Sequence, residues 1–432
     1  MNFQTGMAKI QKISKNITPF AGVFYVNNEF NLCGLRKLID KQLGKRLSTK
    51  NYSYGNLIGN FFNLFLCGGE CAEDIQQHFR PTLEQIPNNQ VASADTLLRV
   101  FNELATENTT IVSSTNNEYQ FNINERVNDL NIKSLLLTSQ LKEGKFYDFD
   151  YDNQIIEHEK HDAKKTYKMN TGYFPGVATM GDKIVYIENR DGNANVKTAQ
   201  AETLERAYKL LNKNKIFVNR SRMDAGSYSK DIVEAVHKYS KLFYIRANKC
   251  EALTEHIKQI TDWQTVEINY INYEVASIPF TNFLEDMGYR LVIMREKSND
   301  AQLDIFEGEK FKYRCILTND HQSTEKEVIE YYNQRGSSEK TFDIQNSDFG
   351  WNHLPTSNMN ANTVYLIITA MLKNFYNCMV SKVSKVFTEI LPASRLKRFI
   401  FRFISVPGRY VFQGRRWILQ LYTNRPYERV FV

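Results

Sequence analysis

"KFYDFDYD", residues 145 to 152, alternates strictly, with Phe149 and Tyr151 on one strand face and Asp148, Asp150 and Asp152 on the other. A half-buried β-strand reads this way. Toward the C-terminus, further strands are expected in "GYFPGVATM" and "KIVYIE", then a helix in "AQAETLERAYKLLNK" and a strand in "KIFVNRS". After Asp224 come the helix "SKDIVEAVHKYS" and the strand "LFYIRAN". Three strands, helix, strand, helix, strand is the order of an RNase H-like sheet. That fold next needs a helix carrying an acidic residue. Residues 249–322 intervene and read as strands in "TVEINYINYEVASI", "YRLVIMRE" and "KFKYRCILTN", a β-rich insertion. The awaited helix begins near Thr324, with Glu327 in capping-box position.

Upstream of Lys145 the chain reads as mostly helical. "CGLRKLIDKQLG", "YGNLIGNFFNLFL" and "ADTLLRVFNELA" carry helical apolar spacing, and "INERVNDLNIKSLLLTSQL" follows a short polar strand around Tyr119. The expected organisation is a helical region over 1–140 and the first part of the sheet core over 141–248. The insertion at 249–322 precedes the second part of the core, 323–380, and a basic helical tail occupies 381–432. The fold class is therefore α/β, an RNase H-like mixed sheet interrupted by a β-rich insertion.

The 432 residues, 42% hydrophobic and 24% charged, suit a soluble globular protein with a sizeable core. No apolar run reaches the roughly 18 residues of a membrane span, and the first residues lack a secretion-signal core. The expectation is a cytoplasmic protein with no membrane partner. Six scattered cysteines predict neither disulfides nor a zinc site, although Cys67 and Cys71 are close together. From Lys382 onward eleven basic residues face two acidic ones, a net +9 in a chain whose total is +7. A basic arm on a nearly neutral body points to a polyanion.

"YYNQRGSSEKTFDIQN", residues 331–346, places Tyr332, Arg335 and Glu339 at i, i+3 and i+7, one face of a continuous helix. An aromatic, a guanidinium and a carboxylate stacked in this way suit a site handling phosphates and a metal. Two-metal phosphoryl transfer needs carboxylates holding two divalent cations roughly 4 Å apart, and Mg²⁺ takes oxygen ligands. Asp152, Asp224 in "SRMDAGSYS" and Glu339 stand where an RNase H-like topology wants them. With 48 acidic residues in the chain, such a triad alone is a weak signal. The Tyr-Arg-Glu spacing on the helix after a β insertion is sharper.

These residues resemble the DDE transposases of bacterial insertion sequences that carry a Tyr-Arg-Glu-Lys signature. Within the group numbered four, the nearest branch is the one numbered thirteen-eighty. The resemblance runs over nearly the whole chain, through "DYDNQIIEHEKHDAKKTYKMNTGYFPGV", "SRMDAGSYS", "YYNQRGSSEKTF" and "QVASADTLLR". It implies that Asp152, Asp224 and Glu339 bind two Mg²⁺ ions, with Mn²⁺ able to substitute, and that Tyr332 and Arg335 contact DNA phosphate. It also implies cut-and-paste transposition of double-stranded DNA by a homodimer, through a hairpin intermediate.

Two positions depart from the pattern: Asn346 stands where the signature has Lys, and Gln154 where many relatives have Thr. Both favour the rival reading of a transposase-derived DNA-binding protein without catalysis. Asp150 is the alternative first carboxylate if the strand register is off by two. Asn346, Lys397, Arg398, Arg415 and Arg416 are candidate DNA contacts. Trp263 is a candidate base-stacking residue or a core residue, and "HEKH" at 158–161 reads as a solvated turn.

Overall fold

The computed structural model describes residues 16–47, 52–248, 257, 259–281, 283, 288–297 and 311–430. Cys250, the N-terminal segment and parts of the insertion lie outside these residues.

The first half begins with helices α1 (Val23–Leu32), α2 (Leu35–Leu43), α3 (Tyr54–Leu66) and α4 (Ala94–Leu104). Ser53 caps α3 by accepting from the Asn56 amide at 3.2 Å. The strands β1 (Thr109–Val112) and β2 (Glu118–Asn122) follow, and then α5 (Glu125–Leu137). The region expected to be helical apart from a short strand around Tyr119 thus contributes a hairpin. Its "TTIV" and "EYQFN" segments are too short and polar for a helix, and Asn116 turns between them at a φ of 57°.

The alternating stretch forms β3 (Lys145–Asn153). A small three-stranded sheet of β4 (Ile156–Glu157), β5 (Lys164–Lys165) and β6 (Thr171–Tyr173) covers the loop after it. Next come β7 (Gly176–Met180), β8 (Lys183–Arg190), α6 (Gln200–Lys213), β9 (Ile216–Met223), α7 (Lys230–Tyr239) and β10 (Ser240–Arg246). β3 runs parallel to β9 and β9 to β10, whereas β7 is antiparallel to β3 and β8 to β7.

The insertion strands are β11 (Gln264–Ile268), β12 (Ile271–Phe280), β13 (Tyr289–Lys297) and β14 (Phe311–Thr318). They extend the same sheet, because β14 pairs antiparallel with β10 through Tyr244 and Thr318. The eleven strands run in the order β1-β2-β8-β7-β3-β9-β10-β14-β13-β12-β11.

Three helices return from the insertion toward the N-terminal half: α8 (Glu325–Asn333), α9 (Ser337–Asp348) and α10 (Met359–Val383). The capping box at Thr324 and Glu327 is present. Most of α10 is buried on all sides, among α1, α3, α4, α5 and β8. No described helix is long and apolar enough to cross a membrane.

Asparagines bind α5 and α10 to β8. Asn128 exchanges two hydrogen bonds with the Ile187 backbone, and Asn131 and Asn374 both donate to the Ile184 carbonyl. These amides satisfy the stretch of the β8 edge at 184–187 that β2, paired only at 189–190, does not reach.

The basic tail is not the helical arm that its charge pattern suggests. After a short helical stretch over 396–404 it forms a hairpin of β15 (Gly408–Gln413) and β16 (Arg416–Leu421). Phe387, Phe399, Phe403 and Tyr427 pack into the same core as α1 and α3. Several basic groups are occupied internally: Lys382 pairs with Glu29, Arg395 with Asp343 and Asp348, and Arg425 with Glu389. Deleting the tail would therefore unseat the helical core as well as removing charge.

Candidate active site

Strands β3 and β9 build the floor of the site as a ladder of side chains. Asp148 pairs with Arg220 at 2.5 Å, and Asp150 with Arg222 through two bonds of 2.6 and 2.8 Å. The Tyr331 ring lies under both guanidiniums, 3.9 Å from Arg220 and 4.6 Å from Arg222, and its carbonyl accepts from Arg222. Two rungs of this ladder are thus salt-bridged and sealed by an aromatic ring.

The next rung breaks the pattern. Tyr151 is in register with Met223, so Asp152 and Asp224 sit side by side at the ends of adjacent parallel strands. Neighbouring strands lie about 4.8 Å apart, and like charges directly opposite each other destabilise a sheet. Asp224 is fixed by capping the turn after β9, where its Oδ1 accepts from the Gly226 amide at 3.0 Å. Burial pushes the Asp152 carboxyl up to about 6; the Arg335 guanidinium opposes this, and the charges of Asp224 and Glu339 add to it. A strand end holding two carboxylates at such an electrostatic cost is a candidate functional site.

The three residues expected on one helix face are brought to this rung by a broken helix. α8 ends after Tyr332, a 3₁₀ turn over 334–336 carries Arg335, and α9 begins just before Glu339. Glycine and serine are poor helix formers, which explains a break at the "GSS" of 336–338. Tyr332 donates to the Met223 carbonyl at 3.2 Å, which ties the helix end to β9 beside Asp224. Arg335 Nη2 lies 2.7 Å from Asp152 Oδ2, both side chains being about one-fifth exposed. Glu339 is exposed at the start of α9 and within electrostatic reach of Asp152.

Asp150, the alternative first carboxylate, is 2% exposed with both oxygens on Arg222. That arrangement favours Asp152 as the reactive one. The two departures from the signature meet each other. Gln154 Nε2 donates to Asn346 Oδ1 at 2.7 Å, joining the strand two residues beyond Asp152 to the helix seven residues beyond Glu339. Tyr331, Arg220 and Arg222 were not among the residues singled out from sequence, and Gln154 and Asn346 were singled out separately, without their bond to each other. The only signal of the arginines was the matching i, i+2 spacing of Asp on β3 and Arg on β9.

The basic candidates lie on other elements. Lys397 lines a cavity of about 760 Å³ with Arg395, Phe65 and Phe401. Arg398 donates to the Glu389 carbonyl, and Arg415 and Arg416 stand at the tip of the β15–β16 hairpin. Trp263 is partly buried, with its indole N–H on the Ile260 carbonyl and Arg295 over its ring. His158 packs on Tyr173 at 4.0 Å, and burial lowers its pKa to about 4.

Among the described residues no three acidic, histidine or cysteine side chains converge closely enough to hold a metal ion. The donor set still suits a hard divalent cation. Asp152 and Asp224 offer adjacent carboxylate oxygens, Glu339 is near, and the Asp152 oxygen already holds a cationic group in Arg335.

A family model described as "Transposase DDE domain group 1" matches residues 9–432, and the chain belongs to that family of transposases. No curated protein matches it. One solved structure that it matches is the cryo-EM structure of the piggyBac transposase synaptic complex with hairpin DNA. The identity is 13%, the TM-score 0.43, and the match covers 89% of this chain and 79% of that one.

The amide pair makes a prediction of its own. Gln154 Oε1 is buried without a hydrogen-bond partner. Asn346→Leu removes the partner of Nε2 too, and is expected to cost about 1–3 kcal/mol. Asn346→Lys is expected to be tolerated, because a flipped Gln154 amide offers Oε1 to the ammonium. Thermal melts of both variants check this; equal destabilisation by Leu and Lys would refute it.

Proposed function

We propose that the chain is a cut-and-paste DNA transposase of a bacterial insertion sequence, acting on the nucleoid and built on an RNase H-like core. The single observation carrying this reading is the rung where Asp152 and Asp224 stand side by side with no arginine of β3 or β9 paired to either, with Arg246 of β10 next in register and Glu339 approaching from α9. Asp152, Asp224 and Glu339 would hold two Mg²⁺ ions, for which Mn²⁺ would substitute. When bound, the ions supply activation of the attacking oxygen and stabilisation of the leaving 3′ oxygen.

The chain's own residues position and neutralise. Tyr332 fixes the helix end against β9, so that Glu339 is presented to the two aspartates. Arg335 neutralises Asp152 in the protein alone and turns its fork to a DNA phosphate when the end is seated. The segment 1–140 recognises the terminal inverted repeats, and a homodimer brings two ends together. Because α1–α4 share a core with α10, repeat recognition is best tested with surface substitutions rather than a fragment.

The test is nicking of a duplex carrying the inverted repeat, with Mg²⁺ and then with EDTA. Metal-dependent nicking at the repeat end is expected. A second reading, a DNA-binding protein without catalysis, draws on Arg335 already occupying Asp152. Repeat binding without nicking in Mg²⁺ or Mn²⁺ would favour it.

A further inference from the structure

The C-terminal hairpin carries an aromatic and basic tip that the proposed chemistry does not use. Its strands pair Tyr410 with Leu419, Phe412 with Trp417 and Gln413 with Arg416. Tyr410, Leu419, Phe412 and Trp417 therefore share one face. Near the base, that face packs on the helical core, with Tyr410 edge-on to Phe24 at 5.9 Å. One rung further out the face overshoots the body. Phe412 is 60% and Trp417 52% exposed, with ring centroids 5.3 Å apart.

The tip between them is a two-residue turn, Gly414 and Arg415, with φ values of 60° and 63°. Glycine or asparagine normally fills both positions of such a turn. An arginine is kept here at a backbone conformation that disfavours it, and a second arginine follows it. No acidic residue occurs between 408 and 421. The described ion pairs of the tail involve Lys382, Arg395, Arg425 and Arg429, and none involves Arg409, Arg415 or Arg416. The base is rigid, because Gly408 exchanges both backbone hydrogen bonds with Thr18.

We propose that this tip is a clamp for DNA ends, in which Arg415 and Arg416 hold phosphates and the Phe412–Trp417 pair stacks on bases opened at the end. Unopposed arginines fit a polyanion, whereas an exposed ring pair has no use on a backbone alone and fits the π-face of an unpaired base. The proposal rests on the transposase reading and deepens it.

The experiment uses the full chain and two fluorescein-labelled duplexes, one with flush ends and one with its terminal pairs mismatched. The double variant R415S/R416S is expected to lower the slope of log K against log salt by about 1.8 on both, at about 0.9 per phosphate. The variant F412S/W417S should keep that slope but bind the mismatched end about tenfold or more weakly, with little loss on the flush duplex. Wild-type slopes and affinities in both variants, while the wild type binds DNA, would overturn the clamp and leave the transposase reading standing. Failure of the wild type to bind either duplex would overturn both. A shift from dimer to monomer in sedimentation of F412S/W417S without DNA would mean that a second copy covers the tip, and would also overturn the clamp.

Discussion

Glu339→Gln is expected to abolish strand cleavage, by on the order of 10³-fold or more, while binding to the transposon end persists. Glutamine keeps the size and hydrogen-bonding reach of the side chain but removes the charge that a divalent cation needs. Glu339 is exposed at the first turn of α9, so the fold has little stake in it. Arg335→Ala should behave differently. It removes a fork able to grip phosphate and breaks the 2.7 Å pair with Asp152, so end binding weakens together with cleavage. Gel shifts and nicking on one labelled end, in Mg²⁺ and in EDTA, separate the two properties. Nicking by Glu339→Gln at the wild-type rate would remove α9 from the reaction.

Periodicity made the centre of the sheet legible. The helical spacing at 200–213 and 230–239 survives in the fold because each helix buries one face, and burial writes a period into the residues. The alternation at 145–152 marks a strand too, but one buried on both faces at 149–151, where arginines of β9 and the Tyr331 ring cover the aspartates. The same logic failed at 331–346. Spacing alone drew one continuous face there, but the weak helix formers between Arg335 and Glu339 let the chain break. The three groups arrive from a helix end, a turn and a new helix.

Charge counting misread the tail. "GRYVFQGRRWILQL" holds a glycine between two alternating runs, which is a hairpin signal. Counting its arginines together with Lys382 and Arg395 hid the fact that those two are occupied by Glu29, Asp343 and Asp348. The Gln154–Asn346 bond joins residues 192 positions apart. Nothing local records such a contact, and each residue separately looked like a defect in the signature.

Asp150 and Asp152 lie on one strand face, two residues apart, yet neutralising them should move stability in opposite directions. Asp150→Asn leaves Arg222 buried with its bidentate partner gone, and is expected to cost about 3–5 kcal/mol. Asp152→Asn relieves a carboxylate whose folded pKa is about 6 against an ordinary value of 3.8. At about 1.4 kcal/mol per pKa unit, it should stabilise the metal-free protein near neutral pH by on the order of 3 kcal/mol, while abolishing cleavage. Because the folded pKa is raised, the wild-type Asp152 contributes this stability in full only below pH 4, and loses it as pH rises through 6. The advantage of Asp152→Asn is therefore largest at pH 7.5, about halved at pH 5, and gone below pH 4. Urea unfolding in EDTA at pH 7.5 and pH 5 measures each gap. Added Mg²⁺ should raise the wild-type midpoint and leave that of Asp152→Asn unmoved, because the cation relieves the same carboxylate that the substitution removes. If Asp152→Asn destabilises as much as Asp150→Asn at pH 7.5, Asp152 is a third structural rung, and the pair of facing carboxylates is not a cation site.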